Sequence, residues 1–334
     1  MSAGSLNYPA VQAALTGWVL HVKDLQLASL FCGVLGVLIL ASVIGSLLKK
    51  TARSDAARAT IDNLNARTRA WWKMCAIFAL TLLIGQIGTL ILFALLSLLA
   101  LREYITLIPT RRGDHRTLIW TFFVITPLQY YLIGIQWYGF FAIMIPAVVF
   151  LFIPTRIAMT GDTEHFLERA AKIQFGIMIC LYCLSYAPAL LMLRIPGFEG
   201  HDARLLFYLV LVAQLADVLK YTWGKLFGRH KIVPHVSPNK TWEGFLGGVL
   251  TATALGSALW WITPFTPLQA AGMSLVIALL GAAGGLVMSA IKRDAQVKDF
   301  GAMIEGHGGI LDRIDSLCFA APIFFHLVRY FFVP

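Results

Sequence analysis

Charge is scarce in this chain. Only 13% of its 334 residues are charged, and 17 are acidic. With 58% hydrophobic residues, a soluble fold would need a larger core than a chain of this length can build. Cysteine is also sparse, at five residues. Cys180 and Cys183 sit inside an apolar run with no second Cys or His pair at zinc spacing, so they read as small buried hydrophobes. Alternating apolar and polar runs are missing, which excludes a membrane β-barrel. No motif interleaves aromatic and basic residues, so nucleic acid is not an expected partner despite a net charge of +10. There is no internal repeat, no low-complexity stretch and no linker that would divide the chain. The N-terminus has no basic n-region and no small-residue cleavage site, so no removable signal peptide is expected.

What the chain does contain is apolar runs of about 20 residues, the length that crosses a bilayer as a helix. The expected fold is all-α: a polytopic integral membrane protein of about nine transmembrane helices, near 25–48, 74–101, 118–135, 138–154, 174–194, 205–227, 245–263, 269–290 and 317–333. Residues 1–200 supply N-terminal membrane helices and 201–334 a region with two polar loops, in one continuous membrane domain. Residues 5–22, with Trp18 and His21, fit an interfacial helix. Residues 49–73 are polar and basic and end on Trp71-Trp72, an interface anchor. Gly85 and Gly88 predict a tilt or kink in the long stretch that follows. The basic loops 102–116, 155–172, 228–243 and 291–316 alternate onto one side, which the positive-inside rule makes cytoplasmic. Counting spans puts 49–73 on the other side, unless the 74–101 stretch re-enters.

Five of the acidic residues cluster between Ser289 and Ser316: Asp294, Asp299, Glu305, Asp312 and Asp315. Lys292, Arg293, Lys298, Arg313 and His307 share this stretch. Charge of both signs between two membrane spans is costly and calls for a reason. Asp312 and Asp315, three apart, share a face of a helix and can converge on one cation. Gly306, Gly308 and Gly309 around His307 let backbone N–H groups approach a phosphate. Together these are parts for metal-assisted phosphoryl or nucleotidyl transfer; a loop whose charges pair with each other and with water has the same composition.

A second informative block begins at Asp217, an acid inside an apolar helix, where a functional role is the default and an ion pair with Lys220 the alternative. Ser237-Pro-Asn-Lys240-Thr241 precedes a helix start and offers hydroxyls and an ammonium, either as a phosphate cradle or as a solvated turn. Gly244-x-x-x-Gly248 and Gly281-x-x-x-Gly285 allow close helix packing beneath these loops. Glu164 and His165 lack a third ligand and read as a solvated helix face. His326 and Arg329 read as partnered or interfacial.

Both blocks resemble the signature of phosphatidate cytidylyltransferases (CDP-diacylglycerol synthases). Ser289, Lys292, Arg293, Lys298, Asp299, Gly301, His307, Gly308, Gly309, Asp312, Arg313 and Asp315 match one part, within 27 residues. Asp217, Tyr221, Gly224, Gly228, Lys231, Pro234, Ser237, Pro238, Lys240, Thr241, Glu243 and Gly244 match the other. Glu305 stands where the family usually has Pro or a small residue, and Leu219 and Lys220 replace small residues. The resemblance implies an enzyme that converts CTP and phosphatidate to CDP-diacylglycerol and pyrophosphate with Mg2+ as cofactor. It implies metal-site carboxylates Asp217, Asp299, Asp312 and Asp315, and phosphate-holding Lys292, Arg293, Lys298 and Arg313. Ser237, Lys240, His307, Gly308 and Gly309 would contact substrate. Expected partners are CTP, phosphatidate or a related lipid phosphate, membrane lipids and, in a homodimer, a second copy. The expected location is a bacterial inner (plasma) membrane. A cytidylyltransferase for another lipid phosphate and a non-catalytic descendant are the alternatives. A transporter should show two related halves, and a CDP-alcohol phosphotransferase a spaced Asp-x-x-Asp-Gly-x-x-Ala-Arg motif; neither is found.

Overall fold

The computed structural model describes residues 25–51, 54–304 and 308–334. The chain is 80% helical, with no strands among the described residues. Ten helices follow in order: α1 (Leu25–Thr51), α2 (Asp55–Ile84), α3 (Gln86–Leu107), α4 (Arg112–Gly134) and α5 (Tyr138–Ala158). Then come α6 (Phe166–Met192), α7 (Asp202–Phe227), α8 (Trp242–Ala258), α9 (Pro267–Asp294) and α10 (Leu311–Phe332). All except α2 and α8 are long and apolar enough to cross a membrane. This is a polytopic all-α integral membrane protein. The helix expected over 5–22 lies outside the described residues, as do Arg53, Glu305 and His307.

The N-terminal third differs from the sequence reading. The polar segment 49–73 is not a loop: α2 begins at Asp55, whose carboxylate suits a helix N-terminus, and runs to Ile84 without an internal Gly or Pro. It lies antiparallel to α1. Lys49 pairs with Asp62 at 2.6 Å, Trp72 Nε1 donates to Ser42 Oγ at 3.0 Å, and Phe31 faces Phe78 with ring centroids 6.5 Å apart. The stretch 74–101 is likewise not one span. Gly85 adopts φ 85°, a conformation that costs glycine little, and separates α2 from α3.

These contacts fix the direction of each leg. Phe31 and Phe78 sit at the level of Phe207, near the start of α7, because Phe31 and Phe207 are 5.1 Å apart. Gly134, at the end of α4, meets Leu90 near the start of α3. At the other end of α3, Glu103 accepts hydrogen bonds from the start of α10. The ten helices therefore run alternately, and the end of α1 and start of α2 share a face with the loops at 108–111, 159–165 and 228–241 and with the end of α9 and start of α10. The basic loops 102–116, 155–172, 228–243 and 291–316 lie on that face together with the start of the 49–73 segment, so the apparent exception at 49–73 disappears once α2 is counted as a leg.

Three helices carry π-helical turns, at Thr121–Ile125, Met144–Val149 and Met178–Cys183. The first is followed by Pro127 and the second contains Pro146; a proline removes one i→i−4 bond and crowds the preceding turn. The core gathers around α10, where Phe324 and Phe325 are fully buried with Tyr186 and Tyr208. Cys180 and Cys318 are buried free thiols within it, as small hydrophobes would be.

Candidate active site

The first block forms the end of α7, a short turnback and the start of α8. Ile232 N donates to Lys240 O at 3.1 Å and Trp242 N to His230 O at 2.9 Å, closing residues 230–242 into a compact loop. Thr241 caps α8, its hydroxyl accepting from Gly244 N at 3.2 Å. Glu243 clamps the loop from below: its carboxylate accepts from Arg229 N at 3.0 Å and from His230 N, and pairs with His230 Nδ1 at 2.5 Å. Ser237 enters through its backbone, N–H to Val233 O and carbonyl to Lys240 N. The α7–α8 crossing is close because α8 presents glycine. A Cβ on Gly248 would lie 2.5 Å from Lys220 Cγ, and one on Gly244 would lie 2.8 Å from Lys220 O.

The second block spans the end of α9, the 295–310 loop and the start of α10. Lys292 Nζ pairs with Asp312 Oδ1 at 2.7 Å and lies 5.4 Å from the centre of the Phe300 ring. The other oxygen of Asp312 accepts from Phe300 N at 2.9 Å and Gly309 N at 3.0 Å. Asp312 thus ties both ends of the loop to α9, and the Gly309 amide points at this carboxylate. Gly308 has φ 82°, and its Cβ position lies 2.8 Å from Asp312 Oδ2 and 3.2 Å from Asp299 Cβ, so both acids flank it. Lys298 and Asp299 are exposed. Arg293 Nε donates to Val236 O at 3.2 Å, tying this block to the first. Arg313 has a buried Nε with no hydrogen-bond partner.

The blocks converge between α7, α9 and α10. Ser316 Oγ donates to Asp217 Oδ2 and lies 3.2 Å from Asp315 Oδ1, so one hydroxyl links the two carboxylates. Lys220 Nζ pairs with Asp217 Oδ1 at 2.8 Å. Lys240, from the first loop, reaches Ser289 Oγ at 3.4 Å. It shares with Asp315 the space over Gly285, whose absent Cβ would be 3.3 Å from Lys240 Nζ and 3.6 Å from Asp315 Oδ2. Burial pushes the Lys240 ammonium down to about 8, with Asp315 opposing and Lys220 adding to the effect. Of the four acids expected around a metal, the structure brings Asp217 and Asp315 together and places Asp312 and Asp299 beside Gly308. No three acidic, His or Cys side chains gather at one point among the described residues. The pair Asp217–Asp315 with the Ser316 hydroxyl is an all-oxygen donor set, which suits a hard divalent cation that completes its shell with water and phosphate.

One residue of the site went unread in the sequence. Glu103 on α3 is 7% exposed and accepts from Ile310 N and Leu311 N, each at 2.9 Å. It therefore holds the N-terminus of α10, where a carboxylate also meets the helix dipole favourably. Gly301 and Gly309 are required beside it: a Cβ on Gly301 would lie 2.7 Å from Glu103 Oε1, and one on Gly309 would overlap Oε2. An acid embedded in the apolar run 86–107 was the available signal, masked by the basic Arg102 before it.

Away from this site, Glu164 pairs with Arg111, and His165 lies 3.4 Å from Glu168. Glu164, His165 and Glu168 are all exposed, as a solvated face would be, while beneath them the buried Arg169 binds Asp162 at 2.8 Å and lies 3.5 Å from the buried Asp114. No metal cluster forms there among the described residues.

The chain is similar to known proteins over most of its length. A protein of Escherichia coli strain K12 that carries the name uncharacterized protein YnbB is 40% identical over 310 residues, covering 91% of this chain and 98% of that protein. A phosphatidate cytidylyltransferase of Bacillus subtilis strain 168 is 32% identical over 256 residues, 75% of this chain and 89% of that protein. One of Mycobacterium leprae is 41% identical over 168 residues, 49% and 51%. The model of the cytidylyltransferase family matches residues 65–331, a span that takes in Glu103 and both converging loops, and the chain belongs to that family.

Proposed function

We propose that the protein transfers the cytidylyl group of CTP to phosphatidate, forming CDP-diacylglycerol and releasing pyrophosphate. The observation that carries this reading is the meeting of the two motif blocks, with Lys240 of one beside Ser289 and Asp315 of the other. A phosphate oxygen of the lipid attacks the α-phosphorus of CTP; the new P–O bond forms as the α–β bridging bond breaks, and pyrophosphate leaves with the electron pair. A phosphate monoester is already nucleophilic at neutral pH, so no general base is assigned and His307 is given none of that work. Both reactants are anions, so the task of the residues is to bind and orient them and to neutralise charge.

In this reading Asp217 and Asp315 hold Mg2+, which supplies charge neutralisation on the triphosphate when bound. Lys240 and the unpartnered Arg313 Nε contact phosphate oxygens. Lys298 and Arg293, both exposed, meet the substrate at the loop edge. Lys292 and Asp312 act as a positioning pair that keeps the 295–310 loop on α9. The basic face is cytoplasmic by the positive-inside rule, where CTP is available, in a bacterial inner membrane. Lys220, paired with Asp217 where the family usually has a small residue, favours one variant of this reading: an acceptor that is a lipid phosphate other than phosphatidate.

The test is pyrophosphate release by the detergent-purified protein in mixed micelles with Mg2+, each nucleoside triphosphate in turn and a panel of lipid phosphates. CTP together with phosphatidate should give pyrophosphate and CDP-lipid in equal amounts. Release that is independent of lipid, or equal with all nucleotides, would sink the proposal; CTP-dependent release with another acceptor selects the variant.

A further inference from the structure

On the face opposite the polar loops lies an open recess of about 210 Å³. It lies where the turn after α4, the loop after α6 and the last turns of α10 meet, lined by Tyr138, Met192, Leu193, Arg194, Phe325 and Arg329. Its walls are apolar, and two guanidiniums stand at it. Arg329 stacks over the Tyr138 ring with its central carbon 3.4 Å from the ring centroid, which fixes the plane of the guanidinium by cation–π attraction. Arg194 donates one N–H to Gln136 Oε1 at 3.2 Å. Neither arginine forms an ion pair with a described carboxylate. That contrasts with the opposite face, where Arg111 and Arg169 are both paired with acids.

The surroundings set the depth of the recess. Trp137, Tyr330 and Phe331 beside it are 57%, 78% and 64% exposed, an aromatic belt at the end of the helices where a membrane meets water. Two unpaired guanidiniums above an apolar pocket at that depth complement a phosphodiester with attached acyl chains. Arginine binds phosphate through paired N–H donors, and a basic pocket between membrane helices recognises lipid headgroups.

We propose that this recess binds one anionic glycerophospholipid of the leaflet opposite the active-site face, its phosphate between Arg194 and Arg329 and the start of its chains against Leu193 and Phe325. The site is independent of the catalytic reading. It would hold the α4–α5 turn, the α6–α7 loop and the end of α10 together, at the far end of the helix that carries Asp315.

The full-length protein is reconstituted into vesicles of phosphatidylcholine with a minor share of phosphatidylglycerol, carrying a benzophenone amino acid at Val333 beside the recess. A second protein carries it at Leu151, which is 66% exposed elsewhere on the surface. Phosphatidylglycerol should be captured at Val333 well above its share of the membrane, and at Leu151 in proportion to that share. Capture at Val333 should fall about fivefold on Arg194→Gln or Arg329→Gln and roughly 20-fold in the double variant, with Arg329→Lys in between. Should the double variant fail to insert, Arg194→Gln, in an exposed loop, carries the test alone. Capture in proportion to bulk composition at Val333 would overturn the proposal. So would enrichment that the arginine substitutions leave unchanged, since the guanidiniums would then not be the ligands.

Discussion

Replacing Glu103 by Gln removes one charge and turns one hydrogen-bond acceptor into a donor facing an amide, with almost no change of volume. In the native protein the carboxylate accepts from Ile310 N and Leu311 N. A hydrogen bond to a charged group contributes about 2 kcal/mol, and a buried carboxylate at a helix N-terminus about 1 kcal/mol more. The loss of one bond and of the dipole interaction therefore comes to roughly 3 kcal/mol. It falls on the order of the 300–311 segment more than on the whole fold. At about 1.4 kcal/mol per tenfold, turnover that needs this segment ordered drops by up to about 100-fold. Hydrogen exchange of peptides spanning 299–312 should rise in parallel, while exchange in α7 and α9 stays as it was. Gly309→Ala should do the same, because its Cβ would displace the same carboxylate, and the double variant should cost little more than either single change. Normal turnover and normal exchange in Glu103→Gln would refute this account, and strict additivity with Gly309→Ala would refute the shared mechanism.

Three further outcomes are expected. Asp217→Asn and Asp315→Asn should each lower cytidylyl transfer by about 100-fold or more, with normal insertion and purification; near-native turnover in either would reject the charge role. Lys240 is protonated below about pH 8 and neutral above it, so the KM for CTP should rise as pH passes 8, and Lys240→Arg should flatten that rise; an unchanged profile in the arginine variant would remove Lys240 from the nucleotide site. Cysteines at Ser54, Thr163 and Asn239, in a background without native Cys, should all be shielded from an impermeant thiol reagent on intact cells and react once the membrane is opened. Labelling of Ser54→Cys alone from outside would contradict the assignment of α2 as a full leg.

The sequence made most of the membrane legs legible because their apolar runs match the thickness of lipid. It failed at α2, where Arg67, Arg69 and Lys73 hid a helix whose propensity is good but whose hydropathy is poor. The pairing of Asp217 with Lys220, weighed as an alternative to a functional acid, occurs together with the link from Asp217 to Ser316. Ser316 was not legible as a bridge, since nothing in local spacing shows that α7 and α10 meet there. Likewise, Asp312 and Asp315 lie on one helix but do not converge on one point as their spacing predicts: one faces Lys292 and the loop amides while the other faces α7. Three residues along a helix leave two side chains about 60° apart and about 4.5 Å displaced along the axis, enough for each acid to take a different neighbour. Glu103 was missed because its partners are 207 and 208 residues away.

The ion pair of Lys220 with Asp217, and the approach of Lys240 to Asp315, also bear on how the chain is made. Asp217, Lys220 and Asp315 each lie within helices that enter the bilayer, and delivered singly they would cost roughly 8 kcal/mol in all to insert. Lys220 and Asp217 are one helical turn apart and can neutralise one another as α7 leaves the ribosome, before α8, α9 and α10 exist. Asp315 has no such companion on α10; its ammonium arrives on the loop between α7 and α8, made earlier. Biosynthetic order thus supplies the cation before the acid that needs it, and a Lys220→Ala chain should show its defect first in the yield of inserted protein.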